Sequence, residues 1–261
     1  MRLFAVSLLL ASSIAQANSF TFKSLVFNGE MPYVESSNKE VALKINTSIY
    51  TDMLEMPAPE SSKAGIKNVP ESMSSSQSDI RYTVWRNDGK ILSIEINAEG
   101  CGAYCESYSN YFNFDATNGN VIEKTAIFTS TGLAVLNKRV VLQRIARINK
   151  EIARLKQESK KTKPDRVNDD NESYFKDSIA LYEECKAGFI EETTSENQQL
   201  LYNEMKFDKN QLVFIRERCS NHAVRALDNL DIFENTFLLK EISPYLSAYG
   251  KKILPFVTSK K

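Results

Sequence analysis

The 261-residue chain is 42% hydrophobic and 25% charged, with nine glycines and seven prolines. That composition excludes collagen, low-complexity disorder and a polytopic membrane protein. Thirty-three Lys and Arg balance 33 Asp and Glu, so no overall field draws the chain to nucleic acid or to an anionic membrane.

Residues 1–17 carry the three parts of a secretory leader. Arg2 is its positive end, an apolar run extends from Leu3 to Leu10, and Ala15-Gln16-Ala17 is a small-residue cleavage site. The run is far shorter than the roughly 20 apolar residues that cross a bilayer. Cleavage before Asn18 is expected, with no lipid anchor because no cysteine follows, and with no later integral membrane segment. Residues 18–261 are expected to form one α+β domain, periplasmic or secreted, with a mobile loop at 57–79.

Along the mature chain, residues 20–34 alternate, with aromatic and β-branched side chains, and read as strand around a turn at Asn28-Gly29. From Asn38 the spacing of Val41, Ile45, Ile49 and Met53 predicts an amphipathic helix stopped by Pro57. Residues 57–79, rich in Ser and Pro, read as a solvated loop. The next hairpin joins IRYTVWR to KILSIEINAE through Asp88-Gly89, whose positive φ values suit a two-residue turn. A second hairpin is expected to pair YSNYFNFD with NVIEKTAIF around Ala116–Gly119, giving four antiparallel strands.

Residues 132–160 predict the most regular helix, with Val141, Ile145, Ile148, Ile152 and Leu155 on one side. Lys138, Arg139, Arg144, Arg147, Lys150, Arg154, Lys156, Lys160 and Lys161 fill much of the rest. A coiled-coil seam or a nucleic-acid face would use this pattern, but the apolar repeat is short and the rest of the chain cancels the charge. The favoured reading is a core helix with a solvated basic side, stopped by Pro164. A helix over about 172–188 is expected to bury Tyr174, Phe175, Ile179 and Tyr182 and to end near Gly188. A hairpin across Lys209-Asn210, a helical piece at NHAVRAL, a strand at NTFLLKEI and a helix from Pro244 towards Lys252 complete the chain. Strands, helices, strands and a helix, without βαβ alternation, define an α+β fold: a mainly antiparallel sheet of hairpins with one long helix and two or three shorter ones packed on it.

Four cysteines in an exported chain read as two disulfides. Three pairings are open. The favoured one is Cys101 with Cys105, already neighbours, and Cys185 with Cys219, tying a helix to a following strand end. Chain entropy assigns about 2 kcal/mol to the short loop and about 4 kcal/mol to the long one. The long bridge thus secures the fold, and the short one shapes a loop. A zinc site would want four convergent thiolates or histidines, and one three-residue spacing, two distant cysteines and one His do not supply them, so no metal and no cofactor is expected.

Nucleophilic triads usually need a histidine, and the chain has only His222, in Cys219-Ser220-Asn221-His222. With no G-x-S-x-G elbow to match it, His222 reads as a partly buried residue beside a disulfide at a helix start. The doublets Asp169-Asp170 and Glu183-Glu184 read as surface charge, although a carboxylate pair needs so little local signal that a hydrolase stays open. Tyr104, Tyr108, Tyr111, Phe112 and Phe114 gather in and after the Cys101–Cys105 loop, beside Glu99 and Glu106. Tyrosines on a constrained loop give contact area at low ordering cost, which suits a protein surface or a glycan. Simple alternation offers the plainer reading, with Tyr111 outward and Phe112 and Phe114 on the core face.

The segments PYVESSNKEVALKINTSI, GCGAYCESYSNYFNFDATNGNVI, AIFTSTGL and FLLKEISPYLSAYG resemble the extracytoplasmic domain shared by lysozyme-sensing anti-sigma factors and some secreted peptidoglycan deacetylases. In that family a Gly-Gly-Ala-His-Gly-like loop leads into an aromatic strand and an Asp, Thr, Gly turn. Gly102 and Ala103 match the loop, Tyr104 and Cys105 replace its His and last Gly, and Asp115, Thr117 and Gly119 match the turn. The resemblance implies a binding or sensing module, without the deacetylase domain or a membrane anchor. The expectation is a non-enzymatic binder of a lysozyme-like protein or of peptidoglycan glycan, acting through Glu99, Tyr104, Glu106 and Tyr108. An immunity protein against a periplasmic toxin and a carboxylate-dependent cell-wall hydrolase are the alternatives.

Overall fold

The structure is a computed structural model, and it describes residues 20–102, 104–161, 169–194, 200 and 203–254. The leader expected over 1–17 and the break expected at Pro164 lie outside these residues. The fold is α+β, with every paired strand antiparallel: a two-stranded ribbon and two three-stranded sheets.

Strands β1 (Thr21–Val26) and β2 (Glu30–Glu35) form the ribbon, turning through Asn28 and Gly29 at φ values of 48° and 132°. A side chain at Gly29 would meet the Ile80 backbone oxygen at 2.2 Å, so only glycine lets the turn bridge to the next sheet there. Helix α1 (Lys39–Leu54) starts where Asn38 accepts a bond from the Val41 N–H. It ends before Pro57, at a left-handed Glu55. Its buried stripe, including Ile45, Ile49 and Met53, packs with the ribbon on one face of the first sheet.

The segment expected as a solvated loop over 57–79 is anchored. Ala58, Ile66 and Val69 pack on this core, residues Glu71–Ser76 form a short helix (α2), and Gln77 already begins a strand. Ser62 donates to Glu35 at 2.6 Å and the Gln77 amide to the Met53 carbonyl at 3.0 Å, so side chains invisible to a composition count hold the segment.

The first sheet runs β3 (Gln77–Asn87), β4 (Ile91–Cys101), β5 (Cys105–Asp115). The turn after β3 has three residues, not two. Only Gly89 has positive φ, at 74°, and the Asp88 carboxylate caps the turn by accepting from the N–H groups of Lys90 and Ile91. The expected fourth strand is absent among the described residues. After Asp115 the chain makes one bridge, Val121 to Phe114, and then forms a short helix, α3 (Lys124–Ile127). Asp115 explains the departure, because its carboxylate takes the N–H and hydroxyl of Thr117 and the Tyr249 hydroxyl and so fixes a compact turn instead of a hairpin.

Helix α4 (Ser130–Lys161) and helix α5 (Asp169–Thr194) pack on each other, so the partner of the long helix lies in the same chain. Helix α5 continues past Gly188 to bury Phe189 against Phe233, with ring centroids 5.4 Å apart. The basic side of α4 is less solvated than its pattern suggests, since Arg139, Arg144 and Arg147 lay their guanidinium groups over Phe237, Phe189 and Phe233. Arg144 is fully buried, donating to Asn235 at 2.8 Å and Asn203 at 2.6 Å. Burial pushes its guanidinium down to about 10.

The second sheet runs β6 (Glu204–Asp208), β7 (Gln211–Arg216), β8 (Phe233–Leu238). Two short helices follow, α6 (Leu239–Ile242) and α7 (Ala248–Ile253). The last expected helix therefore splits: Pro244 sits in a single 3₁₀ turn, and Ser247 caps α7. The exposed edge of β6 is covered by the first sheet, where Ser93 accepts the Phe207 N–H at 3.1 Å and Asn113 donates to the Met205 carbonyl at 2.6 Å. Beside that seam the buried Lys206 amine lies 3.9 Å from the Trp85 ring centre and 2.9 Å from Glu234.

Candidate functional site

The Cys101–Cys105 bond closes the tip of the β4–β5 hairpin, and Cys185–Cys219 ties α5 to the segment that follows β7. Between these two anchored pieces lies an open cleft of about 820 Å³ along the free edge of β5. On one wall stand Glu106, Tyr108, Ser109 and Tyr111, and on the other Glu204, Arg218, His222 and Ile232.

Two contacts join the walls at the rim. Tyr104 stacks on His222, ring centroids 4.2 Å apart, and Glu106 forms an ion pair with Arg218. His222 is thus an exposed stacking partner at the start of a 3₁₀ turn, not the partly buried residue expected. The far wall is built by Asp228. It accepts from the N–H groups of Ser220 and Leu230 and from the buried Tyr182 hydroxyl, and so fixes the course of the chain after Cys219. Burial alone would raise its carboxyl. Those donors outweigh burial and hold it below the ordinary aspartate range.

The four residues expected to bind are not brought together. Glu106 and Tyr108 line the cleft, and Tyr104, 67% exposed, stands at its rim. Glu99 takes another face: the register pairs Glu99 with Ser107 and Cys101 with Cys105, so its carboxylate lies by the sulfurs and accepts from Ser78 at 3.0 Å. The same alternation puts Tyr108 on the side of Phe112 and Phe114, where it packs on the first core. Tyr111, read as outward, donates to Glu95 at 3.0 Å near Lys206. Of the carboxylate doublets, Glu183 pairs with Lys186 on the surface of α5, and the side chains of Asp169 and Asp170 lie outside the described residues.

Arg218 and Glu204 were not legible as site residues. Arg218 adjoins Cys219, so the disulfide was a signal for it, but nothing local links it to Glu106. Desolvation at the cleft wall raises the Glu204 carboxyl above the usual glutamate range; Lys124 opposes this, and Asp52 and Glu217 add to it. Burial likewise raises the Tyr108 phenol, and Asp52 adds to that. Chemically the cleft offers phenol rings, hydroxyls, amides and carboxylates, with its two arginines held by partners, Arg218 by Glu106 and Arg225 by Asp231.

Fold and cleft together define the class: a disulfide-tied α+β protein with a tyrosine-bearing groove between two antiparallel sheets. No protein-family model matches the sequence, and no curated protein matches it. Among solved structures, the chain is similar to the crystal structure of a member of the DUF3298 family from Bacteroides fragilis, at 13% sequence identity over 90% of this chain and 94% of that chain, with a TM-score of 0.49. Among the described residues no helix is long and apolar enough to cross a membrane.

Proposed function

We propose that this is an exported, non-enzymatic binding protein that holds a segment of cell-wall glycan in the cleft between β5 and the 217–232 segment. The observation that carries the reading is the cleft itself. About 820 Å³ of open groove lies within the roughly 300–1,000 Å³ usual for small-ligand sites. Tyrosine rings beside hydroxyl and amide groups suit a sugar, which has apolar ring faces and many hydroxyls. A concave groove of this size favours an oligosaccharide over a lysozyme surface. Two disulfides and the leader-like residues 1–17 support export.

Calorimetric titration of the mature protein with soluble wall-glycan fragments tests the reading. Saturable binding that weakens at least about tenfold in Tyr108→Ala is the expected result. No heat with glycan, or binding of lysozyme in its place, overturns it. Release of shortened glycan by the protein overturns the non-enzymatic part.

A further inference from the structure

We propose that Glu99, Cys101 and Cys105 become a site for a thiophilic divalent cation, of the zinc and cadmium class, when the Cys101–Cys105 bond is reduced. The β4–β5 register places all three side chains on one face of the hairpin tip. One carboxylate oxygen of Glu99 and both sulfurs lie within 4.8 Å of one another. The Ser78 hydroxyl donates to Glu99 at 3.0 Å and orients the carboxylate, as partners behind metal ligands commonly do. The register sets Cys101 directly across from Cys105, with their Cα atoms 4.0 Å apart, so after the bond opens both sulfurs stay within reach of one ion. A closed structural zinc site uses four thiolates or histidines. This set uses one cysteine pair and a carboxylate.

The bond is the more reducible of the two by position. Cys105 is exposed at the hairpin tip, whereas Cys185 and Cys219 are both half-buried and pack against the α4–α5 core. A dithiol supplies the two electrons: its two S–H groups become one disulfide as the Cys101–Cys105 bond opens to two thiols. Binding of the cation then releases two protons, one from each thiol. With both thiols deprotonated, the two thiolates and the Glu99 carboxylate form an anionic donor set that a divalent cation neutralises.

The test uses the full mature chain, treated with a phosphine reductant, because dithiols themselves bind cadmium. Alkylation and mass spectrometry establish which bond has opened, and Cd²⁺ alone is then titrated. The expected result is one equivalent bound, with a thiolate-to-cadmium absorbance that the oxidised protein lacks. Glu99→Gln, which keeps the Ser78 contact, is expected to weaken binding at least about tenfold, and the Cys101→Ser/Cys105→Ser double variant to abolish the absorbance. Opening of Cys185–Cys219 first, no absorbance in the reduced protein, or unchanged affinity in Glu99→Gln overturns the proposal.

Discussion

Tyr104 lies over His222 with an interplanar angle of 25°, joining the tip of the β4–β5 hairpin to the first turn after Cys219. The contact is exposed, so its weight falls on the position of the rim more than on folding. Tyr104→Ala and His222→Ala are each expected to cost under about 1 kcal/mol, and the double variant scarcely more than the larger single one. A double-mutant cycle by urea denaturation measures this. Strict additivity would mean that the two rings do not interact in solution.

The two disulfides differ in what they hold. Cys185 and Cys219 close a long loop and pack against the α4–α5 core, and Cys101 and Cys105 close a short one at a hairpin tip. Removing Cys185–Cys219 is expected to cost about 4 kcal/mol or more, and removing Cys101–Cys105 at most about 2 kcal/mol, with the greater damage to ligand affinity. Thermal melts of the paired Cys→Ser variants check this; equal losses would contradict the division.

Arg144 is an interior cation held by two amide oxygens, with its Nη1 lacking a hydrogen-bond partner among the described residues. Arg144→Ala leaves a void and strips Asn203 and Asn235 of this donor, for an expected loss of about 3–5 kcal/mol. Arg144→Met refills the space without restoring the bonds and is expected to recover part of that loss. Chemical denaturation of both variants decides the matter, since equal stabilities would assign the whole effect to the lost hydrogen bonds.

Asp228 predicts an acid limit. Its folded carboxyl lies below the ordinary aspartate range, so its contribution is present above that range and fades as pH falls through and below it. Asp228→Asn is expected to lower stability by about 1–3 kcal/mol at neutral pH. The gap from wild type should narrow on acidification below pH 4. Melting temperature against pH for the two proteins measures it, and a constant gap would remove Asp228 from the acid response.

Where local chemistry decides the outcome, the sequence was legible. Asn38 marks the start of α1, Asn28-Gly29 and Lys209-Asn210 turn their hairpins, and the spacing from Val141 to Leu155 locates the long helix. Strand alternation also held the side of Tyr108, given that Phe112 and Phe114 face the core. Elsewhere the deciding partner is far away. Residues 120–128 carry strand-like side chains, but Asp115 bonds Tyr249 and bends the chain away. Arg144 resembles its solvated neighbours on α4 until Asn203 and Asn235 are placed around it. The cleft itself depends on Glu106 meeting Arg218, a pairing that no local pattern announces.

The ladder from Ile91↔Asp115 to Cys101↔Cys105 ends with its sulfurs on the last rung. A slip of one residue would leave Cys101 across from a non-cysteine and turn the two thiols to opposite sides. Oxidation at this tip therefore acts as a latch: once closed, the bond favours this alignment over a slipped one.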